Sequence, residues 1–217
     1  MEQAGDTREK LVGAARDLFA ERGIEGVSLR EITRAAGQGN TSALQYHFGD
    51  RLALLAAVIE PHQIRVDERR ASLVELLEAR KEAELRDVAA ALVRPAAAML
   101  EVEGGKAYLR IMAEIWHDPR RWSATGIRFE AGLGPWRELA MRWMSGAASL
   151  LHRRFAAIQL CHSELGRRAA TRRRSDHRLF VSDLVDLTTG ILAAPVSPET
   201  ERLLGERGER PSTSPAG

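Results

Sequence analysis

Apolar positions recur every three or four residues through most of the chain, the spacing of helices with one buried stripe. Leu11, Ala14, Ala15, Leu18 and Phe19 predict a first helix from about Thr7 to Arg22. Asp6 and Glu9 stand at capping-box spacing before it, and Gly23 is placed to end it. A second, shorter stripe of Leu29, Ile32 and Ala36 follows Ser28. Glu31 completes a capping box with Ser28, and Gly37 stops the helix. Asn40 is placed to cap a third helix of two turns, with Ala43, Leu44 and Phe48 inward. Thr41, Ser42, Gln45, Tyr46 and His47 are left facing out or at the edge. Two short helices at this separation predict a helix-turn-helix.

Beyond Asp50 the pattern lengthens. A helix capped by Asp50 runs through Leu52, Leu55, Ala56 and Ile59. It is bent at Pro61 and continues with Ile64, Leu73, Leu76 and Leu77 to about Ala83. Residues 85–102 predict a helix interrupted at Pro95. The segment KAYLRIMAEIWHDP predicts another after Gly104 and Gly105. Residues 146–169 and 178–194 predict two substantial helices. From Pro195 the chain is polar and rich in Pro, Gly and Ser, which predicts disorder apart from a short turn at Glu199–Leu204. The expected fold class is all-α. Residues 1–50 form a three-helix helix-turn-helix domain, 51–194 a larger helical regulatory and dimerisation domain, and 195–217 a tail.

Composition narrows the class. Of 217 residues, 44% are hydrophobic and 5% aromatic, an ordinary composition for a water-soluble helical chain. No apolar run approaches the roughly 18 residues of a membrane span. The polar start MEQAGDTREK is unlike a signal peptide, and Cys161 is the single cysteine. A cytoplasmic setting is expected, with no membrane partner. Charge does not mark a nucleic-acid binder by bulk. Residues 1–51 hold seven Lys or Arg against eight Asp or Glu, although the whole chain is +2. Recognition of DNA would rest on the placement of a few groups.

Those groups have suitable chemistry. The major groove admits one helix, whose N-terminal end approaches the base edges. Gln45 offers an amide donor and acceptor, Thr41 and Ser42 offer hydroxyls, and Arg51 brings a positive charge at the next helix start. Tyr46 and His47 suit phosphates. Each has a plainer reading: Asn40 as a cap only, Tyr46 half-buried, His47 packed between helices, and Arg30 and Arg34 on a solvated face.

The segments LVGAARDLFAERG, SLREITRAAG and LQYHFGDRLALL stand in the order found in the DNA-binding domain of the TetR family, which residues 7–59 resemble. In the order Gly37, Gln38, Gly39, Asn40 the turn reads one residue longer than is usual in the family, and Gln45 replaces its usual aromatic. The resemblance implies a DNA-binding transcriptional regulator, a repressor, binding a palindromic operator as a homodimer. It implies DNA contacts from Arg30, Gln38, Asn40, Thr41, Ser42, Gln45, Tyr46, His47 and Arg51. It also implies a small-molecule effector in the helical body, expected to be apolar.

Trp116, Trp122, Trp136 and Trp143 are candidate lining for that effector pocket, or core filler. Leu150, Ile158, Phe180, Leu184, Leu187 and Ile191 are candidate dimer contacts, since helices apolar on more than one face need more than one partner. The alternative is an internal bundle. Six arginines between Arg167 and Arg178 form either a basic patch or a solvated connection. His117 with Asp118, and His162 with Glu164, lack the third ligand and the spacing of a metal site. No catalytic residue, metal or cofactor is expected. The competing class is an all-α enzyme using the tryptophan-rich cavity, which lacks a catalytic constellation.

Overall fold

The computed structural model describes residues 2–80, 82–118, 130–171 and 176–208. Its elements are α1 (Glu2–Arg22), α2 (Leu29–Ala35), α3 (Ser42–Phe48), α4 (Arg51–Ala79) and α5 (Leu85–Ala97) with a 3-10 turn at Ala98–Glu101. They continue with α6 (Gly105–His117), α7 (Glu130–Met141), α8 (Gly146–Leu150), α9 (Arg153–Ala169), α10 (His177–Ala193) and α11 (Pro198–Gly208). No strand occurs among the described residues. Nor is any single described helix long and apolar enough to cross a membrane.

The first three helices close around Leu11, Ala15, Phe19, Ile24, Val27, Ile32 and Leu44, all at most 3% exposed. We call this unit, with the start of α4, the head. α1 begins earlier than the expected Thr7, so Asp6 lies inside the helix. There it pairs with Lys10 one turn on, at 2.5 Å, rather than capping. Gly23 ends α1 at φ +82°, a left-handed conformation that strains any residue with a Cβ.

α4 links the head to the remaining helices, the body. The Asp50 carboxylate caps it by accepting from the Ala53 N–H at 2.8 Å. Pro61 lies inside the helix without ending it. The buried stripe of α4 is Leu55, Ile59, Gln63, Val66, Arg70, Val74 and Leu77. Ile64 and Leu76, expected to be inward, are 49% and 57% exposed. The expectation fails because it follows the apolar residues and passes over two polar ones on the true buried face.

In the body α6 packs most extensively on α9, α10 on α5, and α7 on α4. α5 is buried from Val88 to Ala97 apart from Arg94. Its Val88 carbonyl accepts the Trp136 indole N–H at 2.8 Å. The α6–α9 crossing is close because Gly166 has no side chain. A Cβ there would lie 2.4 Å from the Ala113 Cβ. The expected 146–169 helix is two pieces, broken where His152 takes φ 54°. The tail is also more ordered than its composition implies. α11 runs from Pro198 to Gly208, where acidic Glu199 and Glu201 sit in the first turn and favour the helix dipole. Residues 209–217 lie outside the described residues.

Gly166→Ala should be destabilising although alanine is the better helix former. The clash with Ala113 is an overpacking cost of about 1–3 kcal/mol. A lowered thermal midpoint by circular dichroism is the expected outcome, and an unchanged or raised midpoint would contradict the close crossing.

Candidate nucleic-acid interface

The turn into α2 is built as its sequence predicts. The Ser28 hydroxyl accepts from the Glu31 N–H at 3.2 Å, and the Ser28 N–H donates to the Glu31 carboxylate at 2.8 Å. Arg22 Nη1 adds a bond to the other carboxylate oxygen at 2.7 Å. The Ser28 N–H and hydroxyl, then Arg22, hold the Glu31 carboxyl at about 2. The capping box thus fixes α2 against the end of α1.

α3 begins at Ser42 with Thr41 as its N-cap, one residue later than expected. Asn40 still contributes, because its side-chain oxygen accepts from the Ser42 N–H at 2.9 Å. Leu44 anchors α3 at 1% exposed, with Ala43 and Phe48 packed beside it. The Arg8 guanidinium lies 5.2 Å over the Phe48 ring. With that face held, Ser42 and Gln45 are exposed, Tyr46 is 83% exposed, and Thr41 and His47 are half-buried. Tyr46 and His47 meet edge to face at 5.1 Å.

A concavity of about 510 Å³ lies between α2 and the turn. Arg30, Gln38, Asn40 and Thr41 line it together with Arg34. Arg30 and Arg34 are exposed and make no ion pair among the described residues, whereas Glu31 beside them is occupied by Ser28 and Arg22. The head is therefore locally cationic at α2 despite its net negative count. Arg34 is absent from the contacts that the resemblance implies. Its spacing of four from Arg30, on the same exposed face, is the signal that finds it.

Arg51 differs from the rest. Its Nη1 donates to the Ile24 carbonyl at 2.6 Å and fastens the start of α4 to the α1–α2 connection. The neighbouring Ile24 N–H donates to the Glu114 carboxylate of α6 at 2.9 Å. One loop residue of the head is thus gripped on both backbone groups, once by α4 and once by α6.

The other expected sites are redistributed. Trp116 and Trp136 are buried in the core, Trp143 is 42% exposed, and Trp122 lies outside the described residues. Among the expected dimer contacts, Ile158 and Leu184 are 2% and 1% exposed and belong to the chain's own core. Leu150 and Leu187 are exposed at 67% and 49%, and Phe180 and Ile191 are half-buried. The described arginines of the basic run are engaged: Arg167 by Glu164, Arg178 by Asp176, and Arg168 by the Asp176 carbonyl and the Phe180 ring. Arg172, Arg173 and Arg174 lie outside the described residues.

A polar cluster unforeseen in the sequence lies in the body. The Tyr108 hydroxyl donates to Gln63 Oε1 at 2.8 Å. Gln63 Nε2 and Arg70 Nη1 both donate to the Asp67 carboxylate, at 2.9 and 2.7 Å. His162 is 3% exposed and stacks on Trp116 with ring centres 5.5 Å apart. Burial, then the charge of Arg70, pushes the His162 imidazole down to about 3. Burial pushes the Cys161 thiol up to about 12. Among the described residues no group of three or more His, Cys, Asp or Glu could hold a metal.

An exposed second helix of a helix-turn-helix, set on a helical body, defines the class: a nucleic-acid-reading head on a separate helical support. Residues 11–58 match the family of bacterial regulatory proteins called the tetR family. Over 61 residues the chain is 33% identical to the HTH-type transcriptional regulator SrpR of Pseudomonas putida, a stretch covering 28% of each chain. It is 33% identical over the same length to the uncharacterized HTH-type transcriptional regulator TtgW of the same species, covering 28% of this chain and 45% of that one. The matched stretch thus spans less than half the length of these relatives. Among solved structures, native NalD of Pseudomonas aeruginosa, the secondary repressor of the MexAB-OprM multidrug efflux pump, superposes with a TM-score of 0.55. It is 23% identical, over 87% of this chain and 96% of that one. A TetR-family transcriptional regulator from Mesorhizobium loti gives a TM-score of 0.50 at 20% identity, over 88% and 96%. Residues 11–58 thus match the tetR family, and most of the chain shares the fold of these two solved structures.

The sign of the His162 shift sets a pH dependence. The folded imidazole titrates near 3, against an ordinary value of 6.5, so the unfolded chain binds more protons between them. The stability it supports is present above 6.5 and is lost as pH falls toward 3, by about 1.4 kcal/mol per pH unit. Denaturant titrations of His162→Phe should show a shallower loss of stability than the parent between pH 6 and 4. Equal slopes would contradict a buried neutral imidazole.

Proposed function

We propose that this protein is a cytoplasmic TetR-type transcriptional regulator that binds a palindromic double-stranded DNA operator as a homodimer. The observation that carries this reading is the surface made by α2 and α3. Leu44 fixes α3, which turns Ser42, Gln45 and Tyr46 outward beside the exposed Arg30 and Arg34. Gln45 reads a base edge, for which an amide is suited to adenine. Thr41, Ser42, Tyr46 and His47 take phosphate or sugar, and Arg30, Arg34, Gln38 and Asn40 hold the flanking backbone. Arg51 positions the head internally and contributes to phosphate with its remaining N–H groups.

The role is repression, relieved by a small molecule held in the body. NalD, which shares the fold, is named as a repressor. The effector acts by binding more tightly to a head spacing that the operator does not accept. α10 supplies the dimer face, where Leu179 is 78% exposed and Leu187 lies two turns on. Phe180 and Ile191 flank them, and Leu150 extends the apolar surface from α8.

Sequencing DNA recovered by the purified protein from a random library should yield an inverted repeat. Failure to enrich any sequence would overturn the reading. On the recovered site, Gln45→Ala should cost about 1–3 kcal/mol and relax the preference at one base pair of each half-site. Arg30→Gln with Arg34→Gln should weaken all sequences alike. It should also flatten the salt dependence by about 0.9 in log K per log salt for each phosphate no longer neutralised. Independently, Leu187→Arg should turn the dimer into a monomer in sedimentation equilibrium, with helicity unchanged; a persistent dimer would place the interface elsewhere.

A further inference from the structure

The head continues covalently into α4, and it also rests on α6 along the second half of α1. At the start of that seam Arg16 Nη1 lies 3.1 Å from where a Cβ on Gly104, the N-cap of α6, would stand. Further along α6, Arg110 Nη2 donates to the Glu21 carbonyl at 3.4 Å. That carbonyl is in the last turn of α1, where helical donors run out and a cation suits the dipole. One turn later the Glu114 carboxylate accepts the Ile24 N–H at 2.9 Å. Gly23 leaves room for it, because a Cβ there would lie 3.3 Å from Glu114 Oε2.

Ile24 is 3% exposed, and a buried N–H left without a partner is costly. A carboxylate acceptor makes such a bond roughly twice as strong as a neutral one. Arg51 holds the carbonyl of the same residue at 2.6 Å, and Arg22 joins Glu31 of α2 to the end of α1. The orientation of the loop at Ile24 is therefore passed on to α2, and through it to α3. Close packing does not fix that orientation by itself. Beside Glu114 the seam keeps a crevice of about 260 Å³, bordered by Phe19, Glu21, Arg110 and Gly166. A directional bond sets the angle where packing is incomplete.

We propose that Glu114 is a positioning residue: it sets the angle at which each head leaves the body, and so the half-site spacing that the dimer accepts. Two heads on one duplex must meet half-sites at a fixed separation, so the angle of each is a specificity term separate from base contacts. This rests on the reading of the protein as a homodimer on a palindromic operator.

The spacer of the inverted repeat selected by the full-length protein from a random library reads out this angle. The parent should return one spacer length. Glu114→Ala, shown folded by its melting curve, should return the same half-site with several spacer lengths. On synthetic operators, one added base pair in the spacer moves a half-site by about 3.4 Å. Discrimination against that shift should fall about tenfold in Glu114→Ala, the worth of one hydrogen bond to a charged group. Glu114→Gln keeps an oxygen acceptor and should lose only about threefold. It carries the test alone if the alanine variant does not fold. Base preference within a half-site should be unchanged, because Leu44 anchors α3 inside the head. Undiminished spacing discrimination in every folded variant overturns the proposal. So does loss of half-site preference along with spacing, which would make Glu114 a support of the head and not of its placement. If the parent selects an inverted repeat and the variants match it, only the role of Glu114 falls. If the parent selects no site, the regulator reading falls, and this inference with it.

Discussion

The whole arrangement depends on α6 being held by close backbone approach on two sides. On one side Gly166, having no side chain, lets α9 come up against Ala113. On the other the Glu114 carboxylate, one residue further along, takes the backbone N–H of Ile24 in the head. A helix pinned at adjacent residues by the body and by the head has little freedom to move for one alone. The Ile24 carbonyl is meanwhile tied to Arg51 at the start of α4. Both routes out of the body, α4 and α6, therefore end on the same loop residue. Coupling between body and head needs a two-state element that both sides bias. This loop is where such bias would be summed.

Much of the head is legible in the sequence because its signals are local. Ser28 and Glu31 lie three residues apart, Asp50 sits next to the helix it caps, and Gly23 adopts the conformation that terminates α1. Such features need no knowledge of distant residues. The body is legible only as a succession of helices. Which face each helix buries is decided by partners dozens of residues away, and two kinds of residue mislead in opposite directions. Ile64 and Leu76 are apolar and exposed, whereas Gln63 and Arg70 are polar and buried. The buried pair is stabilised by contacts to Asp67 and Tyr108, and the Tyr108 contact spans 45 residues. The same limit explains why Ile158 and Leu184 read as interface residues from sequence: apolarity marks burial without saying against what.

The two ends of the molecule also differ in how they use polar groups. In the head, polar groups are either bonded internally, as Glu31 and Asp50 are, or left exposed, as Arg30 and Arg34 are. The exposed ones gather where α2 and α3 meet solvent. In α4 and the body, unsatisfied polar atoms among the described residues are instead buried, on His62, Arg70 and His162. Unsatisfied hydrogen-bonding capacity is a sensible place to look for binding, and the two locations differ in what they can receive. The first is open to a long polyanion, whereas the second is closed to solvent.

Pro61 gives the connection between head and body a defined mechanical character. Having no N–H, it leaves the carbonyl four residues earlier, on Ala57, without its helical bond, so α4 resists bending least at that turn. Leu54, Leu55 and Val58 precede it, and Gln63, Val66 and Arg70 follow. The compliant point is therefore next to the residues that reach the polar cluster, and a full helical segment away from Arg51. At 1.5 Å per residue that segment is a lever arm of about 15 Å, so a tilt of only about 10° carries its far end through roughly 2.6 Å. A tilt of that size at Pro61 thus carries the start of α4, with α3 packed against it, by a distance comparable to a hydrogen bond.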